Sequence, residues 1–149
     1  MTIIVHGIPG SPYVRMPLLA CEEKGVAYDL RPLAFGEQRG PDHLARHPFG
    51  RIPAIEHDGF VLYECQAILR YIDAAFDGPS LTPANPKAMA RMSQALNILD
   101  WYAMPSLTAG IAFNRIIAPM LGRPVDEAAI AAAIPLARTT LKALEDILG

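Results

Sequence analysis

The sequence is poor in the features that define several large protein classes. Its 149 residues include only two cysteines, Cys21 and Cys65, too few for a disulfide framework. No apolar run reaches the ~18–20 residues that cross a bilayer, and the opening MTIIVHG segment lacks the basic stretch of a secretion signal. The formal net charge is −2, and the ten arginines and three lysines are scattered along the chain, which argues against nucleic acid as a partner. We therefore expect a cytoplasmic protein with reduced thiols that binds neither membrane nor nucleic acid.

What is present is a high apolar content, 52%, arranged in two different patterns. The first half alternates short β-branched runs with helical patterns and turn signals. The predicted order is βαβ, α, ββα, with strands at 2–6, 28–33, 54–57 and 60–63 and helices at 12–24, from 41 to before 48, and 64–76. Asp58-Gly59 is a strong signal for a two-residue hairpin. A strand–helix–strand start implies a right-handed parallel crossover, so the first half is predicted to be an α/β domain.

The second half predicts helices only. A stretch with three prolines, a glycine and an asparagine precedes it, and we expect domains at 1–77 and 87–149 with a linker at 78–86. The pattern predicts a helix from 87 to about 120, interrupted by Pro105, Gly110 and Pro119, and a last helix capped by Asp126. Apolar residues follow one stripe of that last helix: Ile130, Ile134, Ala137, Leu141, Leu144 and Leu148. We expect this stripe to lack cover from the rest of the chain.

Three short segments point to one ligand site. Ser11 follows an apolar strand and precedes Pro12, so its hydroxyl lies at a strand-to-helix junction. Ile52-Pro53 is an X-Pro step that can be cis and would leave the preceding backbone groups free for a ligand. Glu64-Cys65 opens a helix, where unpaired N–H groups attract a carboxylate. A hydroxyl, an extended-backbone site and an anion site together suit a peptide-like thiol.

The same segments carry a family resemblance. The residues at 11–15 (SPYVR), 47–55 (HPFGRIPAI) and 64–72 (ECQAILRYI) resemble those of glutathione S-transferases, and most of all their serine-using, phi-like and theta-like branches. The resemblance implies a thioredoxin-like N-terminal domain followed by an all-α, partial C-terminal domain. It also implies a function: glutathione is activated as a thiolate that attacks small, largely apolar electrophiles, which is a detoxification reaction.

The resemblance assigns roles to the residues of the glutathione site. Ser11 would donate to the thiolate, which is the nucleophilic form of a thiol. Pro53 would be the cis-proline, and the backbone of Ile52 would pair with the cysteinyl part of glutathione. Glu64 would contact the α-amino group, and the N–H of Cys65 the γ-glutamyl carboxylate. The family usually has Ser where this chain has Cys65, and a thiol is the weaker donor.

Further residues are assigned by alignment with the family. Gln38, Arg39 and Arg51 would approach the glycyl end and backbone of glutathione. The pocket for the second substrate would be lined by Tyr13, Phe35, Tyr102 and Phe113. Phe49 lies where relatives insert an aromatic ring into a partner subunit, so we expect a homodimer. No metal is expected, because His43, His47 and His57 lack ligand spacing with acids or cysteines.

The same residues bear on other functions of this fold. Glutaredoxin-like oxidoreductases have Cys-Pro-Tyr-Cys where this chain has Ser11-Pro12-Tyr13-Val14, so dithiol exchange is excluded. A glutathione-dependent isomerase or dehalogenase stays open, as does a non-catalytic binding or assembly module. Family members usually carry more helices than this chain, which leaves three explanations for its length: a fragment, a natural truncation, or half of an intimate oligomer.

Overall fold

The computed structural model describes residues 2–149, which divide into two compact units. One ends at Thr82 and the other spans Pro83–Gly149. The elements of the first unit are β1 (Ile3–Gly7), α1 (Pro12–Lys24), β2 (Tyr28–Pro32), a 3₁₀ turn (Glu37–Arg39), α2 (Pro41–Leu44), β3 (Ala54–His57), β4 (Phe60–Tyr63) and α3 (Cys65–Ala75). The predicted βαβ-α-ββα order is confirmed, although α2 is a single turn and ends earlier than predicted.

The four strands form one mixed sheet in the order β2-β1-β3-β4. β1 is parallel to β2, and β3 is antiparallel to both β1 and β4. The β3–β4 hairpin turns through Asp58 and Gly59, whose φ angles are 50° and 83°, as expected for a turn that needs positive φ at both central positions.

One face of the sheet carries the apolar core, which α1 and α3 cover. Alternation along β1 sends Ile3 and Val5 to this face, where they meet Val14 of α1 and Ile68 and Ile72 of α3, all fully buried. Cys21 is also fully buried, as predicted, and burial raises its pKa to about 11. This thiol is therefore a small core side chain rather than a reactive group.

The opposite face of the sheet includes polar side chains and carries the segment around α2. His6 and Glu56 are neighbours on β1 and β3, with His6 Nε2 2.9 Å from Glu56 Oε1. Arg46, just after α2, donates to the same carboxylate. This bond lowers the pKa of Glu56, while burial lowers the pKa of His6. The ion pair between Arg46 and Glu56 therefore attaches the α2 segment to strand β3.

A buried ion pair closes the far end of this unit. Lys24 at the end of α1 donates to Asp73 of α3 (3.2 Å) and to the carbonyl of Pro79 (3.1 Å). Asp73 in turn accepts from the backbone N–H of Leu81 at 2.8 Å. Hydrogen bonds from Leu81 and Thr82 lower the pKa of Asp73 to about 2. We call Lys24, Asp73 and the segment 78–82 the terminal clamp.

The second unit is helical throughout. Its elements are α4 (Pro86–Ile98), a π-type helix (Leu99–Ile117), α5 (Ala118–Met120) and α6 (Glu127–Leu148). Asn85 caps α4 by accepting from two backbone N–H groups, so this helix begins before the predicted position 87. The predicted interruptions at Pro105, Gly110 and Pro119 are wrong, because all three lie inside helical backbone. Gly110 is needed for close packing: a Cβ there would lie 2.5 Å from the Cβ of Ala133.

Asp126 caps α6 as predicted, accepting from the N–H of Ala129 at 2.9 Å. The predicted uncovered stripe on this helix is wrong in part. Ile130 and Ala137 are buried, because α6 packs against Leu99–Ile117. Leu141 and Leu148 remain 53% and 78% exposed. Among residues 2–149, no helix has the length and apolarity needed to span a membrane.

Candidate active site

The sheet register gathers the predicted glutathione-site segments at one edge. His6 near the end of β1 pairs with Ala54 at the start of β3, and Ala54 pairs with Tyr63 at the end of β4. The end of β2 is level with Gly7. The segments that leave or enter the sheet here are therefore 8–11, 33–40, 50–53 and 64–65. These four segments include every residue predicted to bind glutathione.

Ser11 occupies the N-cap position of α1. Its φ and ψ are −70° and 130°, and its carbonyl accepts from Arg15 N at 3.1 Å. Within the described residues 2–149, its side chain makes no capping hydrogen bond. The approach to the helix is tight, since a Cβ on Gly7 would lie 2.4 Å from Val14. Ser11 is thus half-buried at the start of α1, and its hydroxyl does not cap that helix.

The second segment is the turn before β3. The Ile52–Pro53 peptide bond is cis. Pro53 is buried, Ile52 is half-buried and Arg51 is exposed. Gly50 has φ 58°, and a Cβ there would lie only 3.1 Å from the carbonyl of Gln38, so glycine suits both the conformation and the space. The turn presents its backbone and the Arg51 side chain at the sheet edge.

The third segment joins β4 to α3. Glu64 is exposed and has φ 71° and ψ 114°, a region in which a side chain costs on the order of 1–3 kcal/mol. Strain of this kind is concentrated at ligand sites. Cys65 begins α3 and is 7% exposed, with its Sγ 3.5 Å from the carbonyl of Tyr13 and 3.4 Å from Met16 Sδ. The thiol therefore faces the first turn of α1, and the starts of α1 and α3 are in contact.

The fourth segment contains Phe35, Gln38 and Arg39. The carboxylate of Glu37 and the amide of Gln38 accept the N–H groups of Ala34 and Gly36, which gives this loop a defined shape. Gln38 is half-buried and Arg39 is exposed. Phe35 is exposed as well. The segment thus places one cation and one aromatic ring at the same sheet edge.

The remaining predicted residues have different positions. Tyr13 is half-buried in the first turn of α1. Tyr102 and Phe113 are exposed on the π-type helix of the second unit. Phe49 is 71% exposed, and its ring lies edge-on to His47 and Tyr63 at 6.2 and 6.3 Å. The Phe49 ring therefore touches neighbouring aromatic rings while most of its surface faces solvent.

Sequence reasoning missed the buried histidines beneath the turn. His43 and His47 are each 2% exposed, and the His47 ring packs on Tyr63 at 4.6 Å. Burial lowers the pKa of His47, which favours the neutral ring. From the sequence, neither histidine has the spacing of a metal ligand, and His47 belongs to the segment 47–55 that resembles the family. Their one local signal is proximity to the Pro48-Phe49-Gly50 turn, which does not predict burial.

A mixed four-stranded sheet with a helix-start hydroxyl, an X-Pro turn and a second helix start at one edge defines a thioredoxin-like domain. Residues 5–80 match the family model "Glutathione S-transferase, N-terminal domain". The chain therefore belongs to the glutathione S-transferase family.

Individual relatives agree with this assignment. The chain is 34% identical over 128 residues to glutathione S-transferase 4 of Zea mays, covering 85% of this chain and 57% of that protein. Glutathione transferase F7 from Populus trichocarpa has a TM-score of 0.86 and 30% identity, over 98% of this chain and 70% of that one. The theta-class glutathione S-transferase of Xanthomonas axonopodis pv. citri with glutathione bound has a TM-score of 0.76 and 30% identity. The match covers 91% of this chain and 64% of that one. The chain thus spans a little over half the length of the maize relative.

Proposed function

We propose that the chain binds glutathione at this sheet edge and activates its thiol for attack on small, largely apolar electrophiles. The observation that carries the proposal is the register of β1, β3 and β4, which brings Ser11, the Ile52–Pro53 turn and Glu64 to one edge. The Xanthomonas relative has glutathione bound, which supports the same ligand class here.

Ser11 is the residue assigned to activation. Its hydroxyl is free of the capping role within the described residues, so it can donate to the sulfur. The start of α1 adds the positive end of the helix dipole. Lowering a thiol pKa by about two units requires about 2.7 kcal/mol of preferential stabilisation of the thiolate. One well-placed hydrogen bond to a charged group contributes about 1.5–3 kcal/mol, so a hydroxyl and a dipole together suffice.

The rest of the site holds the two ends of the peptide. Arg39, Arg51 and Gln38 supply positive charge and a polar amide for the glycyl end. Glu64 receives the α-amino group, and the backbone N–H of Cys65 faces the γ-carboxylate at the start of α3. Tyr13 and Phe35 of the first unit are proposed for the apolar second substrate, and the roles expected for Tyr102 and Phe113 stay predictions from the sequence.

The cellular setting is proposed on fewer observations. Cys21 and Cys65 are both free thiols, which suits a reducing compartment such as the cytoplasm. The exposed, oriented ring of Phe49 suits an anchor in a homodimer. A detoxifying role follows from the chemistry, because a thiolate on an apolar electrophile gives a more polar product.

Two measurements on the whole chain test the proposal. Isothermal titration calorimetry with glutathione measures binding, and conjugation to a chlorinated nitroaromatic measures turnover. Binding with turnover that saturates in both substrates is expected. Binding without turnover would overturn the transferase assignment in favour of a glutathione-binding module, and the absence of binding would overturn both.

A further inference from the structure

The carbonyl of Arg51 is held by a buried histidine that has no assigned role. His43 Nε2 lies 2.7 Å from the Arg51 oxygen. The other ring nitrogen, Nδ1, is buried and has no partner among residues 2–149. A buried N–H without an acceptor costs more than a buried unprotonated nitrogen whose ring is bonded elsewhere. Because a carbonyl oxygen only accepts, Nε2 carries a proton and donates it to the Arg51 oxygen.

We propose that His43 is a positioning residue for glutathione binding, acting through the Arg51–Ile52 peptide group. This inference rests on the proposed function and extends it. Among the described residues the only cis peptide bond is Ile52–Pro53, so the Arg51–Ile52 bond is trans. In a planar trans peptide the C=O and N–H point in opposite directions. By holding the Arg51 carbonyl on the buried side, His43 directs the Ile52 N–H outward, toward the cysteinyl backbone of the ligand.

The ring of His43 is itself well fixed. It stacks on the ring of His47 at 6.2 Å, and His47 packs on Tyr63 of β4. Three residues beyond His43, Arg46 is bonded to Glu56 on β3. Side chains on two strands therefore support the segment that carries His43, and a donor held this firmly can define the orientation of a peptide group.

The bond predicts a specific pattern of substitutions. In His43→Ala the Arg51 carbonyl loses its donor and the peptide is free to rotate. Glutathione affinity should fall about tenfold, the size of one lost hydrogen bond that leaves a buried acceptor. The chemical step should change little, because Ser11 is untouched. His43→Gln places an amide N–H near the position of Nε2 and should restore most of the affinity, whereas the shorter side chain in His43→Asn should not.

His57→Ala is the matched control. His57 is half-buried at the opposite end of β3 and bonds to the Tyr71 hydroxyl at 2.7 Å, so its loss also removes a histidine hydrogen bond from the sheet. Glutathione affinity should be unchanged in this variant. A general loss of stability would instead weaken binding in both alanine variants.

The test is glutathione titration calorimetry on the whole chain and its four variants, together with KM and kcat for conjugation. Long-range ¹H–¹⁵N NMR gives the ring tautomer. The expected result is a raised Kd and KM in His43→Ala and His43→Asn, rescue in His43→Gln, near-constant kcat, and an Nε2–H tautomer. Wild-type affinity in His43→Ala, no difference between the Gln and Asn variants, or an Nδ1–H tautomer would each overturn the role of His43 alone. If the wild-type chain does not bind glutathione, the proposed function fails and this inference fails with it.

Discussion

Replacing Ser11 with alanine should separate a catalytic hydroxyl from a structural cap. A capping side chain typically contributes 0.5–2 kcal/mol to stability, and about 1 kcal/mol is common. The side chain of Ser11 makes no capping bond within residues 2–149, so Ser11→Ala should cost less than about 0.5 kcal/mol. The hydroxyl is instead available to the glutathione sulfur, and its loss should appear in the thiol chemistry.

The kinetic effect should be large. Removing one preorganised donor to a developing or existing anion costs about 10²–10³-fold in rate. The pKa of bound glutathione should rise by about one to two units toward its free value, because the hydrogen bond is lost while the helix dipole remains. Glutathione affinity should change little, because in the proposed site the two ends of the peptide are held at Glu64, Cys65, Arg39 and Arg51. Ser11→Ala should therefore change the free energy of unfolding little and lower the conjugation rate strongly.

The assay combines urea unfolding with the pH dependence of conjugation and the ultraviolet absorbance of bound thiolate. Asn85→Ala is the matched control, because Asn85 does cap its helix, accepting from Lys87 N at 2.9 Å and Ala88 N at 3.2 Å. This control should lose about 1 kcal/mol of stability and keep the pH profile of the rate. Equal losses of affinity and rate in Ser11→Ala, or a stability loss matching that of Asn85→Ala, would refute the assignment of Ser11.

Cys65→Ser should keep or improve glutathione affinity in calorimetry, because a hydroxyl is the stronger donor; a tenfold loss would mean that the contact of the thiol with Tyr13 has a role of its own. Asp73 has a pKa of about 2 instead of 3.8. Its contribution to the free energy of unfolding is therefore complete above about pH 4 and is lost as the pH falls through 2. Urea midpoints should therefore drop between pH 4 and 2 by the equivalent of about 2 kcal/mol, and a flat profile that matches Asp73→Asn would contradict this. Phe49→Ala should weaken self-association in sedimentation velocity, and a monomeric wild-type chain would contradict the dimer.

Local signals predicted the first unit well. Asp58-Gly59 specifies its own turn, and Ser11-Pro12 and Gly25 delimit α1 at both ends, since each depends only on backbone conformations that those residues favour. The three site segments were found for the same reason. Helix starts and X-Pro steps are predicted by the residues at those positions, and the prediction needs no information about tertiary contacts.

What depends on distant partners was not predicted. The helix pattern predicted around His43 and Arg46 contains no signal for the burial of His43 or for the bond from Arg46 to Glu56, because both depend on the sheet behind that segment. On α6, Ile130 and Leu141 have equivalent places in the apolar stripe, yet one is buried and the other is exposed. The difference is set by where the helix at 99–117 lies, and the pattern within one helix does not contain that information.

The terminal clamp has a consequence for how the α/β half could be produced alone. The composition of the chain suggests cutting it near residue 77, before the prolines. A protein ended there would lack the Pro79 carbonyl and the Leu81 N–H, and would leave the Lys24 ammonium and the Asp73 carboxylate without their backbone partners. Recombinant versions of the isolated α/β half should therefore retain the chain through Thr82, and versions cut at 77 should be more sensitive to proteases.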